Sequence, residues 1–180
     1  MTGRIERTRD QAKVDAGVVM GAGLREPAGF RFHYKIECRG KDGRVKWTED
    51  FWNVVTTQGK NDLLDKYFAG STYTAAWFLG LKGTGTAVAG DTAASHAGWA
   101  EVNPYAGNRP ALTWNAAAAG SKAANQLSYT INASATVAGA FVQSVNTGTT
   151  GILYSAGDFA ASRSVVSGDT LNVTLTVSQT

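Results

Sequence analysis

The chain has 180 residues, enough for one domain with a sizeable core plus an arm, and it requires no second domain. Hydrophobic residues make up 43% and charged residues 17%, with 21 glycines; this composition excludes a disordered chain and a helical bundle and suits a turn-rich β protein. Net charge is +3 and sits at the front: residues 1–50 hold eleven Lys or Arg against eight acids, whereas residues 51–180 hold six of each.

Residues 1–16 are polar and 17–29 are rich in Gly, Ala and Pro, which predicts an extended arm over 1–28 ahead of a single β-rich domain over 29–180. Arg4, Arg7, Arg9, Lys13 and Arg25 make the arm a candidate for contact with a partner surface. Acids interrupt these basic residues throughout, so a solvated mixed-charge segment is the plainer reading and nucleic acid is disfavoured as a partner. The opening stretch MTGRIERTRDQAKVD has no apolar core of the kind a secretory signal needs, and no run is long enough to span a bilayer. The expectation is a protein made in a reducing cytoplasm, without a membrane partner. Cys38 is the single cysteine, which rules out an intramolecular disulfide and a cysteine-based metal site.

From residue 30 the chain alternates strictly. Phe30, Phe32, Tyr34, Ile36 and Cys38 interleave with Arg31, His33, Lys35, Glu37 and Arg39, and Asp42-Gly43 turns the chain into Val45, Trp47 and Phe51. With that turn Cys38 faces Trp47, Tyr34 faces Phe51 and Lys35 faces Asp50. The stretch 51–81 is expected to organise the fold. Asn61, Asp62 and the pairs Leu63-Leu64 and Tyr67-Phe68 give an apolar stripe at helical spacing, Asp62 and Lys66 stand at i,i+4, and Gly70 follows as the C-terminal stop. Tyr73, Ala75, Trp77, Leu79 and Leu81 then predict a central strand. A long loop over 82–110 comes next, with a turn of helix within 92–102 and Trp99 anchoring it to the body.

A short strand at 111–114 and a loop over 115–125 precede a plainly β last third. Alternation over 127–137, further strands within 141–145, 151–154 and 162–166, and a Ser167-Gly168-Asp169 turn into Leu171, Val173, Leu175 and Val177 complete the pattern. The fold class is mainly β, an antiparallel β-sandwich or jelly roll with one short helix and an extended N-terminal arm.

Chemistry has few candidates. His33 and His96 form no pair at metal-ligand spacing, and no cofactor is implied. Asp91, Ser95 and His96 share a loop, yet adjacent Ser and His side chains point apart and no nucleophile-elbow glycines frame Ser95. Asp62, Asp65 and Asp169 have ordinary explanations as helix-start or turn residues, and no acid stands out as buried. His96, Trp99, Tyr105 and Arg109 mark the 82–110 loop as a candidate contact surface. Trp99 and Tyr105 suit sugar stacking as well, although anchoring the loop to the core is preferred for both.

The runs NVVTTQGKNDLLDKYFAGSTYTAAWFLGLKG, DTAASHAGWAEV and TGILYSAGDFAASRSVVSGDTLNVTLTVSQT resemble a family of small virion-associated proteins of tailed bacteriophages. Members carry a similar Asp-Leu-Leu-Asp-Lys-Tyr-Phe run and a Ser-Gly-Asp-Thr-Leu turn into the last strand, and the likeness covers residues 30–180. It implies a structural virion protein and not an enzyme: a head decoration or cement protein on the outer capsid surface. Its partners would be the major capsid protein and its own copies as a homotrimer or homodimer. In that picture the arm clamps a neighbour and the 82–110 loop makes lateral contacts. The alternative is a tail or receptor-binding component that recognises a cell-surface glycan. A hydrolase built on the 91–101 loop is a third possibility, from a different class.

Overall fold

The computed structural model describes residues 29–70, 72 and 76–179. The predicted arm over 1–28, together with Tyr73 and Ala75, lies outside the described residues. Alternating apolar and polar side chains make β1 (Phe30–Arg39) and β2 (Val45–Trp52). Between them Gly43 takes φ +78°, a left-handed turn that a side chain resists, and its N–H bonds the Gly40 carbonyl at 2.8 Å. The register pairs Cys38 with Trp47, Tyr34 with Phe51 and Lys35 with Asp50, as the turn predicts.

The other elements are β3 (Val54–Val55), α1 (Thr57–Phe68), β4 (Phe78–Lys82), β5 (Glu101–Val102), β6 (Ser121–Ala123), β7 (Leu127–Thr130), β8 (Ala135–Gln143), β9 (Leu153–Val165) and β10 (Thr170–Gln179). One sheet runs β2-β1-β10-β6, with β7 also paired to β10; the second runs β3-β9-β8-β4-β5. All strand pairings are antiparallel, and the two sheets make a β-sandwich. Their inward faces meet over Tyr34, Ile36, Cys38, Leu79, Leu81, Val137, Leu171 and Leu175, all buried. Each such aliphatic side chain removed from water contributes about 1.5–3 kcal/mol. Tyr34 stacks on Phe51 with centroids 5.0 Å apart, and Phe51 meets Phe159 edge-on at 5.2 Å.

Several expected elements move. The helix begins four residues before Asn61: Thr56 caps it by accepting the Gly59 N–H at 3.0 Å, so Asp62 and Asp65 lie in its middle and are not helix-start residues. Its apolar stripe does not organise the core, because Leu64, Tyr67 and Phe68 are exposed and Gly59 is its one buried residue. The predicted 127–137 strand is two strands in different sheets. At the crossing the Ile131 N–H bonds the Asp169 carbonyl and the Asn132 N–H bonds the Pro104 carbonyl.

Conversely, the strands expected at 151–154 and 162–166 are the two ends of β9, whose middle is small and breaks the alternation. The 111–114 segment makes only isolated bridges, Phe78 with Ala111 and Trp114 with Ala124, while β6 forms inside the expected 115–125 loop. Residues 92–100 form turns without a helix, and β5 follows them.

Candidate interaction surface at the α1 end

Helix α1 is fastened at its first turn and free at its last. The Thr56 hydroxyl donates to the Leu153 carbonyl while accepting the Gly59 N–H, which ties the cap to β9. Gln58 extends the tie: its Oε1 accepts the N–H groups of Leu153 at 2.9 Å and Ala93 at 3.2 Å, and its Nε2 donates to the Gly151 carbonyl at 3.2 Å. Gly59 lets the helix sit this close. A Cβ there would stand 2.5 Å from the Tyr154 carbonyl oxygen.

Beyond that anchor the helix turns apolar side chains outward. Tyr67 is 79% and Phe68 77% exposed, their rings edge-on at 5.0 Å, and Leu64 is 52% exposed. A separate groove of about 400 Å³, lined from the helix by Asp62, Leu63 and Lys66, opens between the sheets at the start of β1 and is walled by Phe30, Phe32, Leu63, Trp77, Trp114 and Val177. Trp77 meets Tyr154 edge-on at 4.9 Å, and Tyr154 leans on Phe32 at 5.3 Å, so the floor is aromatic and continuous with the core. Charge is confined to the lining's Asp62, Lys66 and Lys122. Asp62 and Lys66 pair at 3.8 Å along the helix.

The residues singled out in the 82–110 loop are held inward. Trp99 is 6% exposed; its Nε1 donates to Asp91 Oδ2 at 2.8 Å, its ring leans on Phe141 at 5.2 Å, and the Lys82 ammonium lies 5.6 Å from the ring centre. His96 stacks on Trp99 at 4.1 Å with Nδ1 3.0 Å from the Trp99 carbonyl. Tyr105 is buried against Tyr129 at 4.7 Å. Arg109 is buried in a fork to Glu101, 2.7 Å to Oε1 and 2.6 Å to Oε2, and also donates to the carbonyls of Val145 and Gly148 at 3.0 Å.

His96, Trp99 and Arg109 therefore share one hollow, while Tyr105 belongs to the main core. As folded, Trp99 and Tyr105 serve as loop anchors and present no open ring face for stacking. Asp91 spends its carboxylate on Trp99 and on the Val88 N–H at 2.9 Å, and His96 turns to a backbone carbonyl; Ser95 is held through its N–H by Thr92. Arg4, Arg7, Arg9, Lys13 and Arg25 lie outside the described residues.

Among the described residues three acids are buried, which sequence reading did not anticipate: Glu49, Asp91 and Asp169. Glu49 receives Arg163 Nε at 2.5 Å, and Asp169 receives Lys46 Nζ at 2.5 Å. Lys82, fully buried at the end of β4, lies 2.7 Å from Asp158 Oδ1 and donates to the carbonyls of Gly83 and Gly85. The exposed aromatic helix end was also missed, because an apolar stripe at helical spacing reads as a core face. No group of three or more His, Cys, Asp or Glu placed to hold a metal ion occurs among the described residues, and no described helix is long and apolar enough to cross a membrane. No family model matches the chain, and no curated protein matches it.

Proposed function

We propose that this protein is a structural component of a tailed-phage virion, a decoration or cement protein that docks on the outer surface of the head. Its partner in this reading is the major capsid protein, and its working unit is a homodimer or homotrimer. The observation that carries the reading is the outward end of α1. Leu64, Tyr67 and Phe68 project from a helix whose first turn is rigidly tied to β9, so three apolar side chains stand in water on a firm base. Scattered exposed apolar residues are ordinary, but three adjoining on one helix end, two of them aromatic rings in contact, mark a protein-binding surface. Tyr and other aromatics in such clusters are the side chains that dominate binding energy. The buried ion pairs and the inward anchoring of the 82–110 loop support a rigid scaffold, which is what a cement role asks of a protein.

The test is rebinding. Purified protein is mixed with phage heads stripped of it, and the particles are imaged by cryo-electron microscopy. Density at regular lattice positions is expected, and Phe68→Asp should lower occupancy about tenfold or more, since losing one central aromatic contact costs ~2 kcal/mol or more. Bare heads, with the protein at the tail or absent from virions, would overturn the reading.

One observation favours the second reading, a tail component that binds a cell-surface glycan. Trp52 is 54% exposed and lies flat on His33 at 4.5 Å and 23°, with His33 held by Asp50. That is an open aromatic face fixed in place on the outside of a sheet. Glycan-array binding lost in Trp52→Ala, with head binding absent, would select this reading over decoration.

A further inference from the structure

Lys82 and Asp158 meet inside the second sheet, away from the α1 end. We propose that they react with each other, closing an intramolecular amide bond between Lys82 Nζ and Asp158 Cγ. The topology brings them into one row. Lys82 pairs with Gly139 between β4 and β8, and Gly139 pairs with Asp158 between β8 and β9, so the two side chains flank a position that carries none. Gly139 keeps the path open. A Cβ there would stand 3.2 Å from Lys82 Cδ and collide with the Gly157 carbonyl oxygen.

The contact itself is that of two reactants. Lys82 is fully buried, and its Nζ lies 2.7 Å from Asp158 Oδ1, which puts Cγ, one bond farther, within about 4 Å. Oδ1 is also buried and receives no hydrogen bond among the described residues, so the nitrogen stands against it off the direction of such a bond. The remaining partners already suit the product. Lys82 Nζ donates to the carbonyls of Gly83 and Gly85, and Asp158 Oδ2 accepts the Ala87 N–H at 3.1 Å. An amide keeps one N–H for a glycine carbonyl and one oxygen for Ala87, and it discards the orphaned oxygen. It also removes two charges whose desolvation an ion pair offsets only when every polar atom is satisfied.

The step balances with what the site holds. A proton passes from the Lys82 ammonium to the Asp158 carboxylate, giving an amine and an acid. The amine sets its two N–H groups on the glycine carbonyls and keeps its lone pair for Cγ. The C–N bond forms, the Cγ–Oδ1 bond breaks, and Oδ1 leaves as water, carrying the transferred proton and a second one from the nitrogen. Trp99, its ring centre 5.6 Å from Nζ, helps to close the nitrogen off, while the Asp158 side chain, 33% exposed, gives the released water a way out. Holding both groups in contact makes the attack unimolecular, which is where the rate comes from. The proposal does not depend on the virion reading.

The experiment is the intact mass of the full chain, purified folded and then denatured, because an amide survives unfolding and an ion pair does not. The expected mass is lower than the sequence requires by one water, about 18 Da, after allowing for the initiator methionine. Tryptic mapping should show no cleavage after Lys82 and a branched species joining the Lys82 peptide to the Asp158 peptide. Asp158→Ala should restore the calculated mass. A parent protein at its full calculated mass overturns the proposal. So does a water loss that persists in Asp158→Ala, which would place the dehydration elsewhere, as at the Asp42-Gly43 turn.

Discussion

Asp169 gathers three donors around one oxygen. Its Oδ2 accepts from Lys46 Nζ at 2.5 Å, the Val166 N–H at 3.0 Å and Cys38 Sγ at 3.8 Å. Burial works to raise its pKa, but the hydrogen bonds from Lys46 and Val166 outweigh burial and hold the carboxyl below its ordinary 3.8. Lys46 is correspondingly raised above 10.5, chiefly by its hydrogen bond to Asp169. The signs follow from linkage. A depressed carboxyl stabilises the fold fully above 3.8 and loses that contribution as pH falls through its folded value, while the raised lysine contributes fully below 10.5 and is lost above it. Asp169→Asn is therefore expected to cost about 2 kcal/mol at pH 7, with the gap to the parent protein narrowing in acid, as measured by urea denaturation across a pH series. Cys38 next to it is pushed up to about 11, by burial first and then by the Asp169 charge, which leaves a protonated, unreactive thiol at neutral pH. Strand alternation put Cys38 on the apolar side correctly. The same alternation was silent on Asp169, because a turn residue's burial depends on which distant lysine comes to meet it.

Helix α1 shows how one element can be read correctly in kind and wrongly in orientation. Its existence and its stop at Gly70, at φ +69°, follow from spacing and capping residues. Its docking does not. The contact face is the short Thr56, Gln58 and Gly59 cluster, fixed by hydrogen bonds to residues 93, 151 and 153 from two other parts of the chain. Gly59→Ala is expected to cost about 2–4 kcal/mol, as overpacking does when the obstacle is backbone, because its Cβ would meet the Tyr154 carbonyl oxygen at 2.5 Å. Thermal unfolding followed by circular dichroism checks this. A shift as small as a surface Gly→Ala change, or a gain from helix propensity, would show that the helix can lift off β9 at little cost. The contrast with Phe68→Asp is informative: that exposed position should leave unfolding nearly unchanged while the proposed head binding weakens about tenfold or more.

At the scale of the whole molecule, stability comes from joining the first described strand to the last. β1 pairs with β10 along its full length, from Phe30 with Gln179 to Arg39 with Thr170, and β10 also holds β6 and β7. The sheets are tied together through side chains as well as by burial. Tyr129 Oη, buried in the first sheet, donates to the Leu79 carbonyl of the second at 2.8 Å, and Glu49 of β2 takes Arg163 of β9. Tyr129→Phe is expected to lower stability by about 1–2 kcal/mol. Unfolding should remain a single transition, with tryptophan fluorescence and circular dichroism coinciding, because both sheets share one core. Separate transitions would mean that the sheets melt independently.

The sequence by itself determined the local geometry: the β class, the β1–β2 register around Asp42-Gly43, the helix and its stop, and the inward alternation of the last strand. Each of these depends on neighbours within a few residues, where side-chain periodicity and turn chemistry act directly. Only the tertiary structure decided that residues 127–137 divide between two sheets, that Lys82, Glu49, Asp91 and Asp169 are buried, that Arg109 turns inward, and that the helix shows its aromatic stripe to water. Those outcomes depend on which distant segments compete for the same face of the core, and a residue's periodicity says which side it takes but not what will cover that side.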